Sequence, residues 1–233
     1  MLPLNDVRVI EFCQVAAGPF CGMLLADFGA DVIKVENPES GDSMRAWPPL
    51  SNGFSENFAS VNRNKRSITL DLKSPEGLEI ARKLVNSADV MIENFRAGVL
   101  ERLGLGYETL KKDHNSLIYC SISAYGQTGP RAREGGFDLT VQAMSGIMSV
   151  TGEPNGVPVK CGVPLSDFSA GLYAAYAITA AMMNVRRGEP GCHIDVSMLG
   201  ASLGIAALQT SEYFGTGQDP TKLGSAHPRN APY

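Results

Sequence analysis

The 233 residues hold little that would make the chain a disulfide scaffold, a metal protein, a membrane span or a nucleic-acid binder. Five cysteines, at positions 13, 21, 120, 161 and 192, are odd in number and scattered. None stands in a C-x-x-C pair or a Cys/His ligand spacing, so neither a disulfide framework nor a structural zinc is read, and a reduced, cytoplasmic setting fits. The three histidines, at 114, 193 and 227, lie too far apart to mark a metal site. The start of the chain lacks the basic segment, apolar run and small-residue cleavage site of a signal peptide. The apolar runs are interrupted by Gly, Ser, Asp or Tyr well before the ~20 residues that a bilayer requires. Basic residues number 20 against 24 acidic ones, leaving a net charge of −4. That is the wrong sign for broad contact with a phosphate backbone. No G-x-G-x-x-G follows a predicted strand, so no NAD fingerprint is present. The expectations are no metal, no NAD, no nucleic acid and no membrane.

What remains is a globular composition, with 44% apolar residues, sized for one large domain or two small ones. The chain alternates between β-rich runs and helical spacing. Val7–Phe12 predicts a strand, Pro19–Phe28 a helix closed by Gly29, and Asp31–Glu36 a second strand. Residues 37–62, rich in Pro, Ser, Gly and Asn, read as a long loop. Alternation resumes with strands over Ser67–Leu72, Val90–Phe95, Leu117–Ala124 and His193–Met198. Helices are expected after Ser74-Pro75, over Val99–Leu103, Tyr107–Asp113, Phe137–Val150, Phe168–Val185 and Leu199–Phe214. The implied fold class is α/β: a mostly parallel, Rossmann-like sheet flanked by helices. Residues 1–214 form the domain, and 215–233 read as a linker toward a smaller domain that is not there.

In such sheets ligands sit at the carboxyl ends of the strands, and several segments there carry candidate chemistry. Gln14-Val15-Ala16-Ala17-Gly18-Pro19 is a small-residue turn into a helix, open to a ligand or equally an ordinary strand-to-helix turn. Glu36 stands where dinucleotide binders place a ribose acid; without the glycines a solvated acid is the simpler reading. Asn62-Arg63-Asn64-Lys65-Arg66 concentrates three cations before a strand, either for phosphates or as a solvated edge. Asn94-Phe95-Arg96-Ala97-Gly98 with Arg102 can clamp an aromatic base and a phosphate, or open a helix around a core Phe. Asp167 is the one acid at the mouth of a very apolar helix. It is either an N-cap, the commoner use of Asp there, or a partly desolvated carboxylate nucleophile.

Five stretches in order carry a resemblance. They are Ala16–Glu36 (AAGPFCGMLLADFGADVIKVE), Asn62–Gly77 (NRNKRSITLDLKSPEG), Asp89–Glu108 (DVMIENFRAGVLERLGLGYE), Gly136–Gly146 (GFDLTVQAMSG) and Gly162–Gly171 (GVPLSDFSAG). Together they resemble the class III CoA-transferases, the CaiB/BaiF family. The resemblance implies that Asp167 is the nucleophile, carrying CoA as an aspartyl-CoA thioester between an acyl-CoA and a free carboxylic acid, with Gln14 helping at the reacting centre. It maps coenzyme A onto Val15, Ala16 and Ala17, onto Asn37, onto Leu70, Asp71, Leu72 and Lys73, and onto Asn94, Phe95, Arg96 and Arg102. Gly135, Gly136, Phe137 and Asp138 would follow the pantetheine. It also implies an interlocked homodimer and a length greater than this chain's. The racemase branch of the family has a His where this chain has Phe137, so the resemblance favours transfer. An acyl-CoA racemase or epimerase, or a CoA-binding module without catalysis, are the alternatives.

Overall fold

A computed structural model describes residues 1–230. The elements in chain order are β1 (Arg8–Phe12), α1 (Ala17–Asp27), β2 (Asp31–Glu36), β3 (Leu50–Ser51), β4 (Phe54–Ser55), α2 (Glu56–Asn62), β5 (Arg66–Thr69), α3 (Pro75–Asn86), β6 (Val90–Glu93), α4 (Val99–Arg102), α5 (Tyr107–Leu110), β7 (Ile118–Ser123), α6 (Asp138–Met144), α7 (Ile147–Val150), α8 (Leu165–Val185), β8 (His193–Ser197), α9 (Met198–Ile205) and α10 (Ala207–Thr216). Six strands form one parallel sheet in the order β5-β2-β1-β6-β7-β8, and β3 and β4 form a small antiparallel hairpin.

The four central strands, β2, β1, β6 and β7, are buried on both faces, so they read as largely apolar runs and not as alternations. Val9, Val90, Ile92, Ile118, Cys120 and Ile122 pack under α1 and α8. The intervening Ile10, Phe12, Met91 and Tyr119 face the other way, toward α3 to α5. Strand order reverses between β1 and β6, and the crevice at a topological switch point is where such sheets take ligands.

The connections explain why a helix end reaches that crevice. Steps toward β5 use helices on the α1 face, and the steps from β5 to β6 and from β6 to β7 use the α3 face. The β7–β8 step runs in the same direction as the latter two, yet its long helix α8 lies on the α1 face. This crossover has the opposite hand to the other four, against the usual uniformity of parallel connections. It lays α8 alongside α1, and Gly171 makes the approach close. A Cβ at Gly171 would stand 2.7 Å from the Ala17 carbonyl oxygen and 2.9 Å from the Phe20 ring. One turn earlier, Phe168 and Phe20 rings lie 4.6 Å apart.

Several expectations are corrected. Residues 37–62 are not one loop: Ser55 caps α2 by accepting from Phe58 N–H at 3.2 Å, and Val61 buries its apolar side. The expected helix over Phe137–Val150 breaks at Gly146, which adopts φ +80. The expected Leu199–Phe214 helix breaks at Ala206. By length and composition α8 passes as a membrane span, because its interruptions do not break the helix; here it packs against α1 and the sheet with Ala170, Ala174 and Ile178 fully buried. The expected linker overlaps the end of α10, and its last three residues lie outside the described ones.

Candidate active site

Two cavities open side by side at the switch point and share Gln14 and Phe95. The first, about 330 Å³, lies over β2 and β5; Phe12, Leu70 and Leu103 make it apolar, and Lys73 and Arg102 stand at its rim. The second, about 340 Å³, lies between the β1–α1 turn and the mouth of α8, with Asp167, Ala16 and Phe137 in its wall. One groove thus runs from a pair of exposed cations to an acid.

The sequence-expected residues fall along this groove. Asn37, Leu70, Asp71, Leu72, Lys73 and Arg102 line the first cavity, and Val15, Ala16, Ala17, Asn94, Arg96, Gly136, Phe137 and Asp167 line the second. Gln14 and Asn94 tie the two central strand ends together. The Asn94 amide accepts from Gln14 N–H at 2.9 Å and donates to the Gln14 carbonyl at 2.8 Å. Phe95 is held by its N–H, which donates to Glu93 at 2.8 Å. Among the described residues Lys73, Arg96 and Arg102 have no ion-pair partner, so their charges face the groove or solvent. Gly135 stays off both cavity walls, beside Arg96, whose guanidinium a Cβ at Gly135 would meet at 3.0 Å.

Asp138 has a different task from the one expected beside a pantetheine arm. Its carboxylate accepts from Ser166 N–H at 2.8 Å and Gln142 Nε2 at 2.6 Å, with Asp167 N–H at 3.4 Å. Asp138 therefore satisfies the N-terminus of α8 from a neighbouring helix. The N-cap position itself is Pro164, which has no side-chain donor or acceptor to offer. This corrects the capping reading of Asp167: it sits inside the first turn, and its carboxylate is not bonded to the helix end. Among the described residues no cation or hydrogen bond meets that carboxylate. Burial, and then the charge of Asp138, push its pKa up to about 7. An acid so placed is a carboxyl group with unused lone pairs facing an open cavity.

Opposite Asp167, Ala16, Ala17 and Gly18 begin α1, which has no side-chain cap. The first N–H groups of a helix have no intrahelical acceptor, so backbone donors and a free carboxylate meet in one cavity. Donors so placed can stabilise an oxyanion.

The charged segment before β5 is mostly the solvated edge: Arg63 and Arg66 are more than half exposed, and only Lys65 is buried. Arg63 pairs with Asp27, Arg66 with Asp31, and Lys65 is buried against Glu11, so none of the three lines the groove. Glu36, by contrast, is not solvated. Despite its burial, hydrogen bonds from Arg45, Ser67 and the Asp42 N–H hold its pKa down at about 2. Sequence reasoning assigned no role to Asp42 or Lys34. Lys34 is a lysine inside an otherwise apolar strand, which is a readable signal of a buried partner.

Comparison with known proteins points one way. The model of CoA-transferase family III matches residues 4–233. The chain is 49% identical to the succinate–glutarate CoA-transferase of Agrobacterium fabrum, over 99% of this chain and 60% of that protein. It is 42% identical to the succinyl-CoA:glutarate CoA-transferase of Mus musculus, over 100% of this chain and 54% of that protein. A crystal structure of a CaiB/BaiF family protein from Brucella suis superposes with a TM-score of 0.94 at 46% identity, covering 100% of this chain and 62% of that one. The chain spans somewhat over half the length of these relatives.

Proposed function

The chain belongs to CoA-transferase family III, and on that premise we propose that it moves CoA from an acyl-CoA to a free carboxylic acid through a covalent intermediate on Asp167. The observation that carries the reading is the single groove joining unpaired cations to an uncapped, partly desolvated carboxylate. Lys73 and Arg102 meet the CoA phosphates, the apolar first cavity with Phe95 takes the adenine, and the pantetheine passes Gln14 to bring the thioester to Asp167.

The Asp167 carboxylate attacks the thioester carbonyl and expels CoA thiolate, leaving a mixed anhydride. The thiolate attacks the Asp167 carbonyl of that anhydride, which releases the first acid and leaves an aspartyl-CoA thioester. An incoming carboxylate attacks this thioester, again expelling thiolate and forming an anhydride. The thiolate then attacks the incoming acyl group, giving the new acyl-CoA and restoring Asp167. No step consumes a proton or an oxidant. Each passes through an oxyanion, for which the N–H groups of Ala16 and Ala17 and the Gln14 amide are the donors at hand. Carboxylate is a weak nucleophile, and splitting the transfer into near-isoenergetic exchanges in a water-poor site makes it sufficient.

The names of the two relatives favour a short dicarboxylic acid as acceptor. Phe137, in the wall beside Asp167, offers no group to take an α-proton, which argues against racemisation. We also place a second copy of the chain against the exposed apolar residues Leu172, Tyr176 and Met183, which share one face of α8 by their spacing, since contiguous exposed apolar surface marks a contact face. Residues 1–214 are read as the large CoA-binding domain of a longer relative.

The test is a two-substrate assay in deuterated water. New CoA ester that appears only with an acceptor acid, with no deuterium at the α-carbon, supports transfer. Deuterium uptake without acceptor overturns it in favour of racemisation. CoA binding measured by calorimetry, with no turnover under either condition, points to a binding module.

A further inference from the structure

The turn that Asp167 faces is held in an unfavourable conformation. Val15 has φ +66, a left-handed backbone that a β-branched residue adopts only at a cost. The surroundings impose it. Val15 N–H donates to both carboxylate oxygens of Asp42, at 3.2 Å each. Lys34 Nζ donates to the Cys13 carbonyl at 2.6 Å, and Lys65 Nζ to the Pro19 carbonyl at 2.8 Å. The turn is gripped before, at and after the strained residue.

The gripping groups are one buried charge cluster. Lys34 Nζ lies 3.0 Å from Glu11 and 3.0 Å from Asp42, and Lys65 Nζ lies 2.8 Å from the other Glu11 oxygen. None of the four side chains is more than 3% exposed. Gly22 leaves the room: a Cβ there would overlap the Glu11 carboxylate. Two lysines and two acids cancel in charge. Such a cluster is a poor route to stability, since desolvation offsets the attraction. What it does accomplish is geometric. Fixing Val15 fixes the direction of the N–H groups that follow it, on Ala16, Ala17 and Gly18, while Pro19 has none to give.

We propose that the buried Asp42–Lys34 pair is a positioning device for the transfer reaction: it pins Val15 in the left-handed conformation and so aims the first N–H groups of α1 at the acyl oxygen beside Asp167. The inference rests on the functional reading above. Asp42 and Lys34 line neither cavity and act only through Val15.

The test pairs Asp42→Ala with Val15→Gly, because glycine takes a positive φ without strain. Asp42→Ala is expected to lower kcat by ~10- to 100-fold, the scale of releasing one strained residue, with KM for acyl-CoA within ~3-fold. Adding Val15→Gly is expected to bring kcat back to within ~5-fold of wild type. Crystal structures of both variants read φ at residue 15 independently of activity. If Asp42→Ala lowers the melting temperature but leaves kcat and the positive φ in place, or if glycine gives no rescue, the proposal is overturned. Should Asp42→Ala not fold, Asp42→Asn keeps an acceptor and loses the charge; a smaller kcat loss, again rescued by Val15→Gly, supports the device, and no loss overturns it. Wild-type protein that neither binds CoA nor turns over sinks the functional reading instead, and φ at residue 15 still judges the pin.

Discussion

Two sets of acids flank the turn from Gln14 to Gly18, one fully buried and one half-buried, and the fold treats them in opposite ways. Behind the turn, Glu11 and Asp42 each meet a lysine ammonium within 3.0 Å. In front of it, Asp167 has another carboxylate, Asp138, as its charged neighbour and no cation. Burial of Lys34 works against its charge, but Glu11 and Asp42 outweigh that, and its pKa stays above the ordinary value. At Asp167 nothing opposes burial, and the pKa climbs to about 7. Burial alone therefore does not make an acid reactive. An acid becomes available for chemistry when the partner that would neutralise it is withheld and a cavity is left in front of it.

Breaking each side of this comparison has a different signature. Asp167→Ala is expected to lower transfer by on the order of 10³-fold or more, as loss of a covalent nucleophile does, while CoA affinity by calorimetry changes less than ~3-fold. Lys34→Met leaves Glu11 with Lys65 alone and leaves the buried Asp42 carboxylate with no ammonium. Its expected cost is about 3–5 kcal/mol, read as a lower urea midpoint with an unchanged slope. At the far end of the groove, Lys73→Ala and Arg102→Ala are each expected to weaken CoA binding by about 5- to 20-fold, the scale of one charge-assisted phosphate contact. The same substitutions should leave dephosphorylated pantetheine binding unchanged.

The smallest effect sharpens the contrast most. Asp167 has its folded pKa raised from 3.8 to about 7, so the native state holds a proton that the unfolded chain has lost. Stability then falls as pH rises through that window, and the full penalty is present above about pH 7. Asp167→Asn removes it. The variant should be more stable than wild type at pH 8, by about 1–2 kcal/mol after allowing for partial solvent screening, or roughly 2–8 °C in Tm. Below about pH 3.5, where both states are protonated, the difference should vanish. The same titration predicts that kcat/KM rises with pH to a plateau above about 7, because only the ionised acid attacks.

The parallel sheet and most of its helices are legible because each element carries its own signal. Val90–Glu93 is an apolar run, and Ser74-Pro75 announces α3 with a cap that accepts from Gly77 N–H at 3.0 Å. Helix α2 is hidden because its cap, Ser55, lies in a stretch whose Pro, Gly and Asn content reads as loop. The groove residues are legible through the order of motifs, from Ala16 to Asp167. The pairings are not. Lys34 meets Glu11 because β1 and β2 are in register at those positions, and Asp42 reaches Lys34 only after the chain has left β2. Asp138 caps α8 from 28 residues away. Side chains that meet across elements leave no periodicity to read, which is why the position of Asp167 reads as a cap until another acid is seen to hold that role.

The central claim is that Asp167 itself carries the CoA. Full-length protein mixed with acyl-CoA, quenched with hydroxylamine and digested for mass spectrometry should show the hydroxamate on the peptide containing Asp167, and on no other acid. Unmodified Asp167 with hydroxamate at Asp138 or Glu93, or full transfer by Asp167→Ala, would contradict the account.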